Sequence, residues 1–385
     1  MNDATRLEEA HGLPLYSKKN LVIVRGENAT LWDEKGRAYV DCVGGHGSAN
    51  LGHCNPAVVE AVRQQAGRLI TCSNTVHNDV RGAFMGRLVS LAPEGLDRVF
   101  LCNSGSEAVE AALKLARLTT GRTRVVSARQ AFHGRTMGAL SATHNPLYRK
   151  GFGPLLEGFS FVPYDDLGRM AAAVDRETAA VILEVVQGEG GVHVASGDYL
   201  RGVQALCRER GALFILDEVQ TGFCRTGRMF ALEHHGLRPD MVCLAKSIAG
   251  GLPMGALLCS SRITASPGKH GSTFGGNPLC CAAGLAALDV MIREDLAAQA
   301  ARKGERLLSR LRAIASRRIR EVRGLGLMVG IELRERCRPY LDRLADEGVL
   351  ALPAGPTVIR LLPPLTISDE NLETVGDALE KVLAD

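Results

Sequence analysis

Apolar positions change their period along the chain, and each change predicts a different kind of element. Near the start they come in short runs: Leu21-Val22-Ile23-Val24, Ala29-Thr30-Leu31-Trp32 and Ala38-Tyr39-Val40-Asp41, with Asp33-Glu34-Lys35-Gly36 as a turn before the third. Short runs separated by turn residues predict a three-stranded meander. Helical spacing follows at about 56–68 and 78–91. From residue 96, β-branched runs (98–102, 124–127, 159–163, 180–185, 213–216, 241–244, 255–259) alternate with amphipathic stretches such as 106–118, 166–175 and 198–210. That alternation predicts an α/β fold with a mostly parallel central sheet and helices on both faces. Beyond 277 the pattern is helical to about 314. A strand over 325–333, a helix over 336–347, a strand near 358–362 and a last helix over 369–384 follow. The chain is expected to divide into residues 1–45 as the N-terminal part of a small α+β domain, 46–276 as a large domain, and 277–385 as a linking helix and the rest of the small domain.

Composition narrows the class. With 385 residues, 46% hydrophobic and 23% charged, the chain can bury a large core, which excludes a disordered protein. The net charge of +4 is mild, and the densest basic run, Arg317-Arg318-Ile319-Arg320, reads as a solvated helix face, so no nucleic-acid partner is expected. The eleven cysteines are scattered and none form a C-x-x-C pair, which fits a reduced, cytoplasmic protein without a metal site. Neither a signal peptide nor an 18-residue apolar run is visible, so no membrane association is expected.

Three places carry candidate chemistry. Asn103-Ser104-Gly105-Ser106-Glu107-Ala108 joins a strand to a helix, with Ser104 and Glu107 at capping-box spacing. It is either a well-capped helix or an anion cradle, in which free N–H groups and the helix dipole meet a phosphate beside Gly105. Asp217-Glu218 directly follows an apolar strand, where open α/β sheets face their ligand crevice. A carboxylate there needs a partner, and a protonated pyridine nitrogen is one. Lys246 ends another apolar strand ahead of Gly250-Gly251. It is either a surface lysine or a desolvated, nucleophilic amine. Cradle, acid and lysine in order on one sheet meet what pyridoxal 5'-phosphate (PLP) requires: a phosphate site, a pyridinium partner and an aldehyde-bonding amine.

These residues, together with Ala131-Phe132-His133-Gly134-Arg135-Thr136, Gln187-Gly188-Glu189-Gly190-Gly191, Gly271-Ser272-Thr273-Phe274-Gly275-Gly276-Asn277-Pro278 and Val358-Ile359-Arg360-Leu361-Leu362-Pro363-Pro364-Leu365, resemble the class III, fold type I PLP-dependent aminotransferases nearly end to end. The resemblance implies PLP bound covalently to Lys246, which also shuttles the proton. It implies Asp217 on the pyridine nitrogen, Val219 and Phe132 on the two ring faces, and Gln220 on the phenolic oxygen. Gly105 and Ser106 would hold the phosphate. It further implies a homodimer, with Thr273 reaching the neighbouring subunit's phosphate. For substrates it implies Arg360 on the α-carboxylate of glutamate, Glu189 masking Arg360 when an ω-amine substrate enters, Arg135 on the distal carboxylate with Ser272 nearby, and Tyr16 among the substrate contacts. Either arginine could instead sit in a structural ion pair.

Within the family the chain is similar to acetylornithine aminotransferases and their lysine-pathway relative. That relative acts on aminoadipate semialdehyde attached to a small acidic amino-group carrier protein. The segments 43–53, 14–17 and 350–357 resemble the carrier-dependent relative more closely. The expected reaction moves an amino group between glutamate/2-oxoglutarate and the terminal aldehyde of an Nα-blocked aminoadipate or glutamate semialdehyde, in lysine or arginine biosynthesis. Acetylornithine aminotransferase on free metabolites, another ω-aminotransferase, a PLP aminomutase and a non-catalytic binding protein are the rivals. Val185 departs from the family's usual Pro. Cys224 replaces a common Gly and would lay the site open to thiol reagents. Gly324-Leu325-Gly326-Leu327-Met328-Val329-Gly330 imitates a dinucleotide fingerprint, but a strand pattern follows it rather than a helix.

Overall fold

A computed structural model describes residues 3–384. Its central sheet has seven strands in the order Leu96–Cys102, Gly255–Ser260, Met241–Leu244, Leu213–Asp217, Thr178–Leu183, Arg124–Ala128 and Phe159–Val162. Only Gly255–Ser260 runs against the rest. Leu213–Asp217 shows how both faces are filled. Phe214 and Leu216 enter one buried apolar cluster, while Leu213 and Ile215 enter another. The helix Gly105–Thr120 gives Ala108, Ala112 and Leu115 to the second cluster, and Gly197–Arg210 gives Val203 and Leu206 to the first. A parallel sheet covered on both faces needs continuous apolar strands rather than alternating ones. Thr178–Leu183, buried at every position, is one.

The meander is present as Ile23–Glu27, Thr30–Asp33 and Ala38–Asp41, and Val349–Leu350 extends it in parallel with Ala38–Asp41. A second four-stranded sheet orders Ile319–Leu325, Met328–Leu333, Val358–Leu361 and Leu352–Ala354.

The stretch after 277 is helical as expected, as two helices, Pro278–Arg293 and Leu296–Arg312, broken at Asp295, whose φ of 45° cannot continue a helix and whose carboxylate caps the second one. One expectation is corrected. The strand expected over 325–333 is instead half of a hairpin: the chain turns at Gly326 (φ 56°) between Ile319–Leu325 and Met328–Leu333. A Cβ on Gly326 would lie 2.5 Å from the backbone carbon of Thr226, so the glycine serves close packing and no dinucleotide. The basic run at 317–320 accordingly leads into a strand, not along a helix.

Arg225 joins the parts. It is fully buried, and its guanidinium donates to the carbonyls of Leu327 (2.9 Å) and Pro363 (2.6 Å) and to Oδ1 of Asn50 (2.6 Å). No carboxylate among the described residues pairs with it. Burial pulls its pKa down.

Candidate active site

The strands that run in one direction bring their C-terminal ends, with Asn103, His133, Glu184, Asp217 and Lys246, around one cavity of about 320 Å3. This is the ligand side of an open α/β sheet.

Ser104 caps the helix Gly105–Thr120, its Oγ accepting from the Glu107 amide at 3.2 Å. The reciprocal half of the capping box is shifted by one residue, since the Glu107 carboxylate accepts from the amide of Asn103 at 3.0 Å. Ser104, Gly105 and Ser106 line the cavity with the first turn of the helix, where amides lack intrahelical partners. A Cβ on Gly105 would fall 2.8 Å from a Val219 methyl. The missing side chain lets the cradle and Val219 close on the same space.

Asp217 is buried. Its Oδ2 lies 2.7 Å from Nδ1 of His133, and its Oδ1 accepts from the Val219 amide at 3.0 Å. Burial is the largest influence on His133 and opposes a charge there, but the hydrogen bond to Asp217 and the charges of Asp217 and Glu184 together outweigh it and raise the histidine's pKa. Glu184 is buried beside them, accepting from the amides of Phe132 and Gly188, both at 3.2 Å. Burial pushes its pKa up to about 7, against the pull of His133. Lys246 begins a short 3-10 turn at φ 51°, a strained angle for a side-chain-bearing residue. The surface it retains faces the cavity. Burial drives its pKa down, and Glu189 works in the opposite direction.

Arg360, 1% exposed, donates to Glu189 Oε1 at 2.7 Å and to Gln220 Oε1 at 3.0 Å. Its buried Nε has no partner among the described residues, nor has Nε2 of His133. Burial would raise the pKa of Glu189, but Arg360 and Lys246 hold it low. Phe132 lines the cavity and meets Tyr148 edge-on, with ring centroids 5.4 Å apart. Arg135 is exposed, its guanidinium 4.5 Å from the Tyr148 ring. Ser272 accepts from the Asn103 side chain at 3.1 Å. Four residues at the opposite rim, Gly44 to Gly47, form a left-handed turn with φ of 53°, 56°, 59° and 83°. Ser247, next to Lys246, ties it down by donating to the Gly47 carbonyl at 2.9 Å.

Of the residues singled out in the sequence, Gly105, Ser106, Phe132, Glu189, Asp217, Val219, Gln220 and Lys246 line the cavity, and Arg360 bonds two of them. Arg135 and Ser272 reach its edge through Tyr148 and Asn103. Thr273 and Tyr16 are exposed and do not line it. Cys224 is 1% exposed and burial pushes its thiol up to about 12, so it is not the reactive group its sequence position suggested. Sequence reasoning gave no role to His133, Glu184 or Tyr148. A signal existed for His133, because a buried Asp217 requires a partner. None existed for Tyr148.

An anion cradle, a desolvated lysine, a buried carboxylate and ring-sized apolar walls around one cavity, with unpaired buried N–H groups left over, suit a phosphorylated pyridine aldehyde. This sheet and site define a PLP-dependent α/β transferase of fold type I. The chain belongs to the class III aminotransferase family, whose model matches residues 15–383. It is 53% identical over 381 residues, 98% of this chain and 89% of the relative, to the [LysW]-aminoadipate semialdehyde transaminase of Deinococcus radiodurans. It is 44% identical over 367 residues, 95% and 92% of the two chains, to the acetylornithine aminotransferase of Methanosarcina acetivorans. The crystal structure of ornithine aminotransferase from Toxoplasma gondii superimposes with a TM-score of 0.95 at 35% identity, covering 99% of this chain and 94% of that one.

Proposed function

We propose that this aminotransferase takes its amino group from glutamate and delivers it to the terminal aldehyde of an Nα-blocked aminoadipate or glutamate semialdehyde, the blocking group being a carrier protein. The observation that carries this reading is the Arg360–Glu189 pair at 2.7 Å over the cavity that holds Lys246. One site must accept two unlike substrates. Glutamate brings an α-carboxylate, which Arg360 binds in bidentate fashion once Glu189 moves aside. A substrate entering by its terminal amine has no such carboxylate, and Glu189 then keeps the buried Arg360 neutralised. Arg135, exposed beside Tyr148, takes the distal carboxylate, with Ser272 near it.

PLP, when bound, supplies a ring that draws electrons from the carbon losing its proton. Lys246 Nζ holds the cofactor and moves the proton at that carbon. Asp217, fixed by His133 and the Val219 amide, would meet the pyridine nitrogen. Phe132 and Val219 would flank the ring, Gln220 would meet its phenolic oxygen, and Gly105 and Ser106 would receive the phosphate. Thr273 completes the neighbouring subunit's phosphate site in a homodimer. Its loop is joined to another by the bond from Asn74 to the Gly275 carbonyl (2.9 Å), and Ile70, Val76 and Phe274 stand exposed there at 55%, 56% and 62%. Such an apolar surface suits a second copy. Eleven unpaired thiols suit a cytoplasmic setting.

Single half-reactions followed by cofactor absorbance test the proposal. Rapid reaction with glutamate and with lysine linked to LysW, and slow reaction with Nα-acetylornithine, is the expected result. The reverse preference would make the chain an acetylornithine aminotransferase on free metabolites. Arg360→Ala is expected to slow the glutamate half-reaction by about a hundredfold and the ω-amine half-reaction far less. Equal losses would remove the switching role.

A further inference from the structure

The chain's positive charge is concentrated in one segment. Residues 114–157 contain eight Lys or Arg and a single acid, Glu157, a net +7 that leaves the other 341 residues at −3. Not all of these cations are available. Arg124 pairs with Asp175, and Arg122 and Arg149 are spent on backbone carbonyls. Arg129, Arg135 and Lys150 are exposed and have no carboxylate partner among the described residues. Exposed apolar side chains sit among them: Leu147 at 79% and Phe152 at 59%. A shallow groove runs between His144, Leu147, Lys150 and Leu155. Arg129 and Arg149 both bear electrostatically on His144, placing the three close together.

This surface is continuous with the cavity. Arg135 and Tyr148 join it to Phe132, and Gln130, next to Arg129, donates to the Gly190 carbonyl beside Glu189. It lies toward the Phe159–Val162 edge of the sheet. The loop assigned to the second copy packs at the other edge, where Gly275 abuts the carbonyl of Leu101.

We propose that the surface built by Arg129, Leu147, Lys150 and Phe152 is the docking face for an acidic protein that presents the substrate on an extended arm. The proposal rests on the carrier-linked reading above and adds where the carrier sits. Unpaired cations around an apolar patch steer and orient an anionic partner, and the groove leads its arm past Arg135 to the cavity. An exposed charge at a rim acts chiefly on the association rate and is screened by salt.

The test uses the intact enzyme with cofactor, the double variant Arg129→Glu/Lys150→Glu, and separately Leu147→Asp. The probes are Deinococcus radiodurans LysW bearing lysine, and free Nα-acetyllysine. Expected is a fall of at least about tenfold in kcat/KM for the LysW-linked substrate, carried by KM and largest at low salt, with the free substrate changed less than about twofold. Equal effects on the two substrates, or none on either, would overturn the docking face while leaving the carrier reading intact. Failure of the unmodified enzyme to turn over LysW-linked lysine would remove the carrier reading and the docking face with it. Loss of the dimer in sedimentation of the variants would show that this face joins copies of the chain, and would also overturn the proposal.

Discussion

At the scale of single residues the site is a balance of buried charges. Lys246 is held at a strained φ and its ammonium is disfavoured by burial. Lys246→Ala should leave the fold intact, abolish turnover and leave the cofactor removable by gel filtration; substantial turnover in that variant would sink the assignment of Lys246. Glu184 and His133 both have raised folded pKa values. For Glu184 the stabilisation is complete below the ordinary carboxylate value of about 4.5 and is lost as pH rises through about 7. For His133 it is complete below about 6.5 and is lost through its own raised value. Both slopes have the same sign, so these two groups together lower the stability of the cofactor-free protein as pH rises from 5 toward 8, while the six histidines whose pKa burial lowers act in the opposite direction below about 6.5. Glu184→Gln should flatten the lower part of that dependence in urea-midpoint measurements, and an unchanged slope would mean that Glu184 does not titrate there. Lys246 and Asp217 were legible in the sequence only in combination with the cradle at 104–106, because Lys246 alone reads equally well as a surface lysine. His133 was legible only by asking what pairs with Asp217. Tyr148 reaches the site through a loop whose path no periodicity encodes.

At the scale of elements, strands with both faces covered announced themselves as apolar runs. Interruptions did not. The break at Asp295 and the turn at Gly326 sit inside patterns that read as continuous: the first is marked only by a capping carboxylate, and the second is set by packing against the distant Thr226 backbone. The left-handed turn at 44–47 is a further case. In the sequence it stood out only within the segment 43–53 that resembles the carrier-dependent relative, yet its conformation is imposed from outside. A Cβ on Gly44 would lie 2.4 Å from the Leu362 carbonyl, and φ there is 53°. Gly44→Ala should cost roughly 2–4 kcal/mol from the left-handed angle and the contact together. Thermal or urea unfolding would measure it, and an unchanged midpoint would show that the turn relaxes freely. Because Ser247 bonds this turn, the same variant should weaken the hold proposed for Lys246 on the cofactor without touching it directly.

At the scale of the molecule, the sequence foretold an α/β sheet flanked by a smaller domain, and the end segments do share a sheet through Val349–Leu350 and Ala38–Asp41. Which segments would meet across the interior was not foretold, and Arg225 is where that matters most. Its partners come from residues 50, 327 and 363, each more than 100 residues away along the chain. Arg225→Met should cost about 3 kcal/mol or more in unfolding, because three buried acceptors would lose their donor. The same dependence has a consequence for assembly. A cation whose only company is oxygen from three remote stretches can leave water only when all three have arrived. Until then the interior cannot close around it, and a chain missing its last sixty residues keeps that charge hydrated and its centre open. Fragments of this enzyme that end before Leu327 are therefore expected to stay open rather than fold into partial copies.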